Sequence, residues 1–168
     1  KGGVYDTAST STFHALAAAR QAITERDVSE LGIAGPDAPR LRMYTSNQAH
    51  SSVDKAAMAI GLGRRGIVKI DVDSQFRMNP SVLEGAIKKD LSEGWRPFCV
   101  SATIGTTSTT SIDPIPQIAG ICEKYKLWLH VDAAYAGAAA ILPEVRAFLD
   151  GCDRAVSFVM NPHKWFFT

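Results

Sequence analysis

At 168 residues, with 46% hydrophobic and 21% charged side chains, the chain is long enough to enclose a core and too apolar to stay disordered. Its 18 basic and 17 acidic residues leave a formal net charge of +1 without a block of either sign, which argues against nucleic acid or an anionic membrane as a partner. The longest nearly uncharged apolar stretch, residues 133–142, is far shorter than the roughly 20 residues of a membrane-spanning helix, and no secretory signal is visible.

The predicted elements begin with residues 9–26, alanine-rich and opened by Ser and Thr caps, where Phe13, Leu16, Ala17 and Ile23 form a helical stripe. Residues 27–40 concentrate Gly and Pro and read as a surface loop. An alternation of short apolar runs and helical segments follows. Residues 40–46 suit a strand and 51–62 a helix, with Ser51 and Asp54 spaced as a capping box. Residues 66–73 are strand-like. Asn79 and Pro80 open a helix whose apolar face is Val82, Leu83, Ala86, Ile87 and Leu91 and which Gly94 stops. Strands over 98–105, 127–135 and 155–160 enclose helices over 115–126 and 143–149. Nearly continuous apolar strands separated by helices predict an α/β fold, a mostly parallel sheet covered by helices on both faces. Cys99, Cys122 and Cys152 are odd in number and in no CxxC pattern, so they are expected to be small core residues of a protein in a reducing compartment, the cytoplasm.

In such a sheet ligands bind beyond the carboxyl ends of the strands. Four of those ends are polar: "TSNQAHSS", "TIGTTSTTS", "DAAYAG" and "NPHKW". Pro162 turns the chain away from its strand and presents Lys164, whose amine can attack a carbonyl once desolvation beside His163 and Trp165 lowers its pKa. A lone lysine is more often a solvated surface charge. Asp132 closes an apolar strand where an unpaired carboxylate is costly, so it calls for a cation, and a pyridinium nitrogen would serve as well as a salt bridge or a cap. Small residues after it, Ala133, Ala134, Ala136 and Gly137, leave room for a flat ring. His50 suits either stacking on such a ring or capping the next helix. His14, on a helix, and His130, alternating with Asp132, read as packing or supporting residues. "TASTST" offers hydroxyls and backbone N–H groups at a helix start, the setting of a phosphate site and equally of a plain cap. The threonine run reads either as a polar turn or as hydroxyls lining a cofactor.

Taken together, "QAHSS", "GTTSTTSIDPI", "HVDAAYAG" and "NPHKW" resemble the group II pyridoxal phosphate-dependent decarboxylases, particularly the aromatic L-amino acid decarboxylases, over essentially residues 1–168. The resemblance implies the large domain of a fold-type I enzyme, one partial cofactor-binding domain lacking an N-terminal segment and a C-terminal small domain. The chain starts at Lys1 and ends at "FFT", which is read as an excerpt in which Phe166 and Phe167 open a segment buried in the longer protein. By the same resemblance Lys164 carries pyridoxal 5'-phosphate as an internal aldimine, Asp132 pairs with the ring nitrogen and His50 stacks on the ring. Ala8 and Ser9 hold the phosphate, with Asn161 and His163 helping, while Thr107 and Ala134 line the cofactor. The implied reaction converts an aromatic L-amino acid to its amine and carbon dioxide in a homodimer. An aromatic aldehyde synthase, a glutamate decarboxylase, an aminotransferase and a cysteine desulfurase are the alternatives within the fold. A metal hydrolase using His50, His130, Asp132 and His163 lacks the HExxH spacing, and a non-catalytic remnant would keep the fold without turnover.

Overall fold

The computed structural model describes residues 2–23 and 26–166. Eleven helices and strands order the described residues, with short 3₁₀ turns between them. They are α1 (Ala8–Ile23), α2 (Val28–Leu31), β1 (Leu41–Ser46), α3 (Ser51–Ala59), β2 (Ile67–Ile70), α4 (Pro80–Ser92), β3 (Arg96–Thr103), α5 (Ile115–Tyr125), β4 (Trp128–Ala133), β5 (Ser157–Met160) and α6 (Pro162–Trp165). All strand pairings are parallel, in the order β2-β1-β3-β4-β5. The order reverses at β1, so the crevice between the carboxyl ends of β1 and β3 is where this architecture takes a ligand.

Alternation along the strands feeds two cores, because successive side chains point to opposite faces, except at Phe98 and Cys99 where the β1–β3 register shifts. Met43, Phe98 and Cys99 pack with Leu16 and Ala19 of α1 and with Val53, Ala56 and Ile60 around α3. On the other face Tyr44, Val100, Leu129 and Val131 meet Leu83 and Ile87 of α4 and Ile118 and Cys122 of α5. The sheet is thus covered on both sides, as its apolar strands predict. Each fully buried aliphatic side chain contributes about 1.5–3 kcal/mol to that packing.

Several local expectations are corrected. The buried stripe of α1 is Thr12, Leu16 and Ala19; Phe13 is exposed, and Ala17 and Ile23 are only partly covered. The expected end of this helix falls partly on residues 24–25, outside the described residues, as does Phe167; Phe166 is exposed. On α4, Val82 and Leu91 face solvent and the buried line is Leu83, Ile87 and Asp90. Asn79 does cap α4, accepting from the backbone N–H of Ser81 at 3.0 Å. The loop at 27–40 contains α2, a single turn capped by Asp27, whose Oδ1 accepts from the N–H of Ser29 at 3.0 Å. Arg26 braces that loop by donating to the carbonyls of Leu31, Gly32 and Ala34. The helix expected at 143–149 is a 3₁₀ segment, Pro143–Leu149, and a second one, Ala136–Ile141, precedes it. Cys99 and Cys122 are buried and Cys152 half-buried, all as free thiols.

Candidate functional site: a cleft at the carboxyl edge of the sheet

Beyond β1 the chain turns at Asn47 and Gln48 and enters α3 through His50, whose backbone is extended (φ −62°, ψ 142°). The imidazole, rather than Ser51, is the cap: Nδ1 accepts from the N–H of Ser52 at 3.2 Å and lies 2.7 Å from its hydroxyl. The expected Ser51/Asp54 capping box does not form, and Asp54 pairs with Lys69 instead. Because Nδ1 accepts, a neutral His50 ring carries its proton on Nε2. Capping and facing the cleft are both true of this residue.

Beyond β3 the threonine-rich segment folds back on itself. Gly105 takes φ +84°, and a Cβ there would lie 2.7 Å from Cβ of Ala136, so only glycine allows this loop to lie against the turn after β4. Thr106 and Thr109 share a hydroxyl contact of 2.8 Å, and the N–H of Ser111 donates to Thr106 Oγ1 at 3.0 Å. The run therefore serves mainly as turn scaffolding, with Thr107 alone of its threonines reaching the cleft. Asp113 closes the segment, accepting from the N–H groups of Met78 at 2.7 Å and Thr103 at 2.8 Å. Burial pushes its carboxyl up to about 6 against the opposing pull of those two bonds.

Asp132 lies on β4, 6% exposed, at the register of Thr103. Its Oδ1 accepts from the N–H of Ala134 at 3.0 Å, and it has no ion-pair partner among the described residues. A buried carboxylate left in this state fits a cationic ring nitrogen delivered by a ligand. Beyond β5, Asn161 stays extended and Pro162 opens α6, a single helical turn that carries His163 and Lys164. Lys164 is exposed to the cleft, and Trp165 meets the ring of Tyr135 edge-on at 5.7 Å between centroids. From the opposite side α1 begins at the cleft: Thr7 Oγ1 accepts from the N–H of Thr10 at 3.1 Å, and Ala8 and Ser9 form the first turn. A helix start of this kind offers N–H groups to an anion.

One cleft of about 270 Å³ is lined by all nine of the residues singled out from sequence: Ala8, Ser9, His50, Thr107, Asp132, Ala134, Asn161, His163 and Lys164. Thr7, Ser52, Thr103, Gly105 and Tyr135 line it too; each falls within a motif singled out from sequence, though none is assigned there individually as a site residue. Thr103 carried a readable signal, since it shares the strand alternation of Ser101; Tyr135 carried none. A neighbouring hollow between α1 and α3 shares Ser9, His50 and Ser52 and adds Phe13 and Lys55. His14 is on α1, exposed, and stacks on Tyr5 at 4.4 Å. Among the described residues no group of three or more His, Cys, Asp and Glu is arranged to hold a metal ion. No described helix is long and apolar enough to cross a membrane.

A parallel α/β sheet with helix start, buried carboxylate and turn lysine around one carboxyl-edge cleft defines the large-domain architecture of the fold-type I pyridoxal phosphate enzymes. The description "Pyridoxal-dependent decarboxylase conserved domain" matches residues 1–168, and the chain belongs to that family. It is 48% identical over 131 residues to tyrosine decarboxylase 2 of Arabidopsis thaliana, covering 77% of this chain and 24% of the relative. It is 44% identical over 170 residues to the aromatic-L-amino-acid decarboxylase of Bos taurus, covering 98% and 34% respectively. The crystal structure of Oryza sativa TDC with PLP and tryptamine superimposes with a TM-score of 0.90 at 39% identity, over 99% of this chain and 34% of that one. The chain thus spans about a quarter to a third of the length of the curated relatives it matches.

Proposed function

We propose that this chain is the cofactor-binding part of a pyridoxal 5'-phosphate-dependent decarboxylase that converts an aromatic L-amino acid to its amine and carbon dioxide. The observation that carries the reading is Asp132: a buried carboxylate with no ion-pair partner among the described residues, lining a cleft that Lys164 also lines. The residues fit the cofactor. Lys164 would hold it covalently through Nζ, Asp132 would bind the ring nitrogen, and the helix start at Ala8 and Ser9 would take the phosphate with Asn161 and His163. His50 and Ala134 would bracket the ring, with Thr107 at its edge. Bound there, the cofactor supplies a sink for the electron pair left when the α-carboxylate departs as carbon dioxide.

The chain's own residues do the rest. Asp132, buried and held by the N–H of Ala134, would face the ring nitrogen of the bound cofactor. His50, fixed through Nδ1 by the N-terminus of α3, would offer its ring to the ligand in the cleft. The aromatic substrate class draws its support from the tyrosine and aromatic-L-amino-acid decarboxylases to which the chain is similar. Exposed apolar side chains such as Phe13, Ile141 and Phe158 support a homodimer, and the free cysteines support a reducing compartment, the cytoplasm.

The test is borohydride reduction of the protein purified with pyridoxal 5'-phosphate, followed by peptide mapping. A phosphopyridoxyl group on Lys164 is expected, and Lys164→Ala should abolish it; a wild-type protein without the adduct would overturn the reading. Product analysis with tyrosine, dopa and tryptophan then separates amine from aldehyde or keto acid.

A further inference from the structure

β1 lies between β2 and β3 in the sheet, so no strand pairing ties the segment that leaves β2 to the one that leaves β3. Asp113 ties them instead. It is 1% exposed, and its two carboxylate oxygens serve different segments: Oδ1 accepts from the N–H of Met78 at 2.7 Å and Oδ2 from the N–H of Thr103 at 2.8 Å. Its own N–H donates to the carbonyl of Thr103 at 2.9 Å, so Thr103 is held at both its N–H and its carbonyl. Ser111 adds a second tie between the same segments, its Oγ lying 2.9 Å from the carbonyls of Gln75 and Phe76.

What is held in this way is one wall of the cleft. Thr103 ends β3 at the register of Asp132, the N–H of Ile104 donates to the Asp132 carbonyl at 2.9 Å, and Thr103, Gly105 and Thr107 all line the cleft. The two turns so joined are not relaxed. Phe76 and Thr110 take φ of 60° and 57°, left-handed conformations that a Cβ disfavours. Such conformations persist where the surrounding bonds over-determine them. Asp113 has no ion-pair partner among the described residues, and burial disfavours its charge, raising the carboxyl to about 6. An amide would avoid the cost of burying that charge, but it brings one acceptor oxygen to two N–H groups and turns its own NH₂ against the second donor.

We propose that Asp113 is a positioning residue for the cofactor: by holding Thr103 through one oxygen and Met78 through the other, it locks the wall formed by Thr103, Gly105 and Thr107 against the turn that follows β2. The proposal rests on the reading of the cleft as a pyridoxal phosphate site. Asp113 itself does not line the cleft, so it acts only through the backbone it holds. Its contribution is pre-organisation: a wall already fixed before the ligand arrives spares binding the cost of ordering it.

The experiment titrates the intact protein with pyridoxal 5'-phosphate and records the visible circular dichroism of the bound cofactor at saturation, which reports how firmly the ring is held in one orientation. Asp113→Asn should raise the cofactor dissociation constant about tenfold, the loss of one hydrogen bond to a charged group, and weaken the dichroism. Ile87→Ala, a core truncation on α4 away from both turns, should lower stability in urea and leave affinity and dichroism at their wild-type values. Wild-type affinity and dichroism in Asp113→Asn would sink the idea, and so would an equal loss of affinity in Ile87→Ala, since lowered stability would then explain both. Should Asp113→Asn fail to fold, Ser111→Ala carries the test: removing the second tie should raise the dissociation constant about threefold, and an unchanged constant counts against the proposal. A wild-type adduct on Lys164 with unperturbed affinity in the variants would refute this inference alone; a missing wild-type adduct would refute the functional reading beneath it.

Discussion

Asp90, 5% exposed on α4, receives the hydroxyl of Tyr44 at 2.8 Å and the guanidinium of Arg42 at 3.0 Å, and Arg42 in turn stacks over the ring of Trp95. Burial first, and then the bond to Asp90, push the Tyr44 phenol well above its ordinary range. Replacing Asp90 with alanine strands a charged and a polar group in a nearly closed site, and a loss of about 3–5 kcal/mol is expected in urea unfolding. Nothing in the helical stripe announced this residue. Periodicity registers apolar side chains only, so it extended the buried face to Val82 and Leu91 and passed over a carboxylate whose partners come from β1. His50 shows the same limit from the other side: a residue type seldom used as a cap was read as either a cap or a ring-stacking residue, and the structure shows the cap on a residue that also lines the cleft.

At the scale of elements the two helical layers carry different duties. α1 begins at the cleft and α5 does not, yet Leu16 and Ile118 are each fully buried on their respective faces. Leu16→Ala and Ile118→Ala should each cost about 2–5 kcal/mol in denaturant melts. Only Leu16→Ala should also weaken pyridoxal 5'-phosphate binding, because it loosens the helix whose first turn lines the cleft; equal affinities in the two variants would contradict this division. Strand and helix order was legible because apolar runs, Pro80 after Asn79, and glycine stops are local signals. The 3₁₀ run Ala136–Ile141 was not, since an alanine-rich segment has the same composition whether it forms an α-helix or a tighter coil. The single turn α2 hid inside a loop that looked too rich in Gly and Pro to hold one.

At the scale of the molecule, the cleft draws on the first turn of α1, the start of α3, the turns after β3 and β4, and α6, so its lining runs from Thr7 to Lys164. Sequence made the members legible through their chemistry at strand ends, but their convergence depends on the strand order, which no local pattern encodes. Tyr135 escaped for that reason. A site assembled from both ends of the chain also has a thermodynamic consequence. No local piece can retain the ligand after the sheet comes apart, so ligand binding and global folding are linked equilibria. Pyridoxal 5'-phosphate at a hundredfold excess over its dissociation constant should add about 2.7 kcal/mol to unfolding. Tryptophan fluorescence and far-ultraviolet dichroism should then shift their midpoints together; a shift in one probe alone would mean that the ligand orders a neighbourhood rather than the fold.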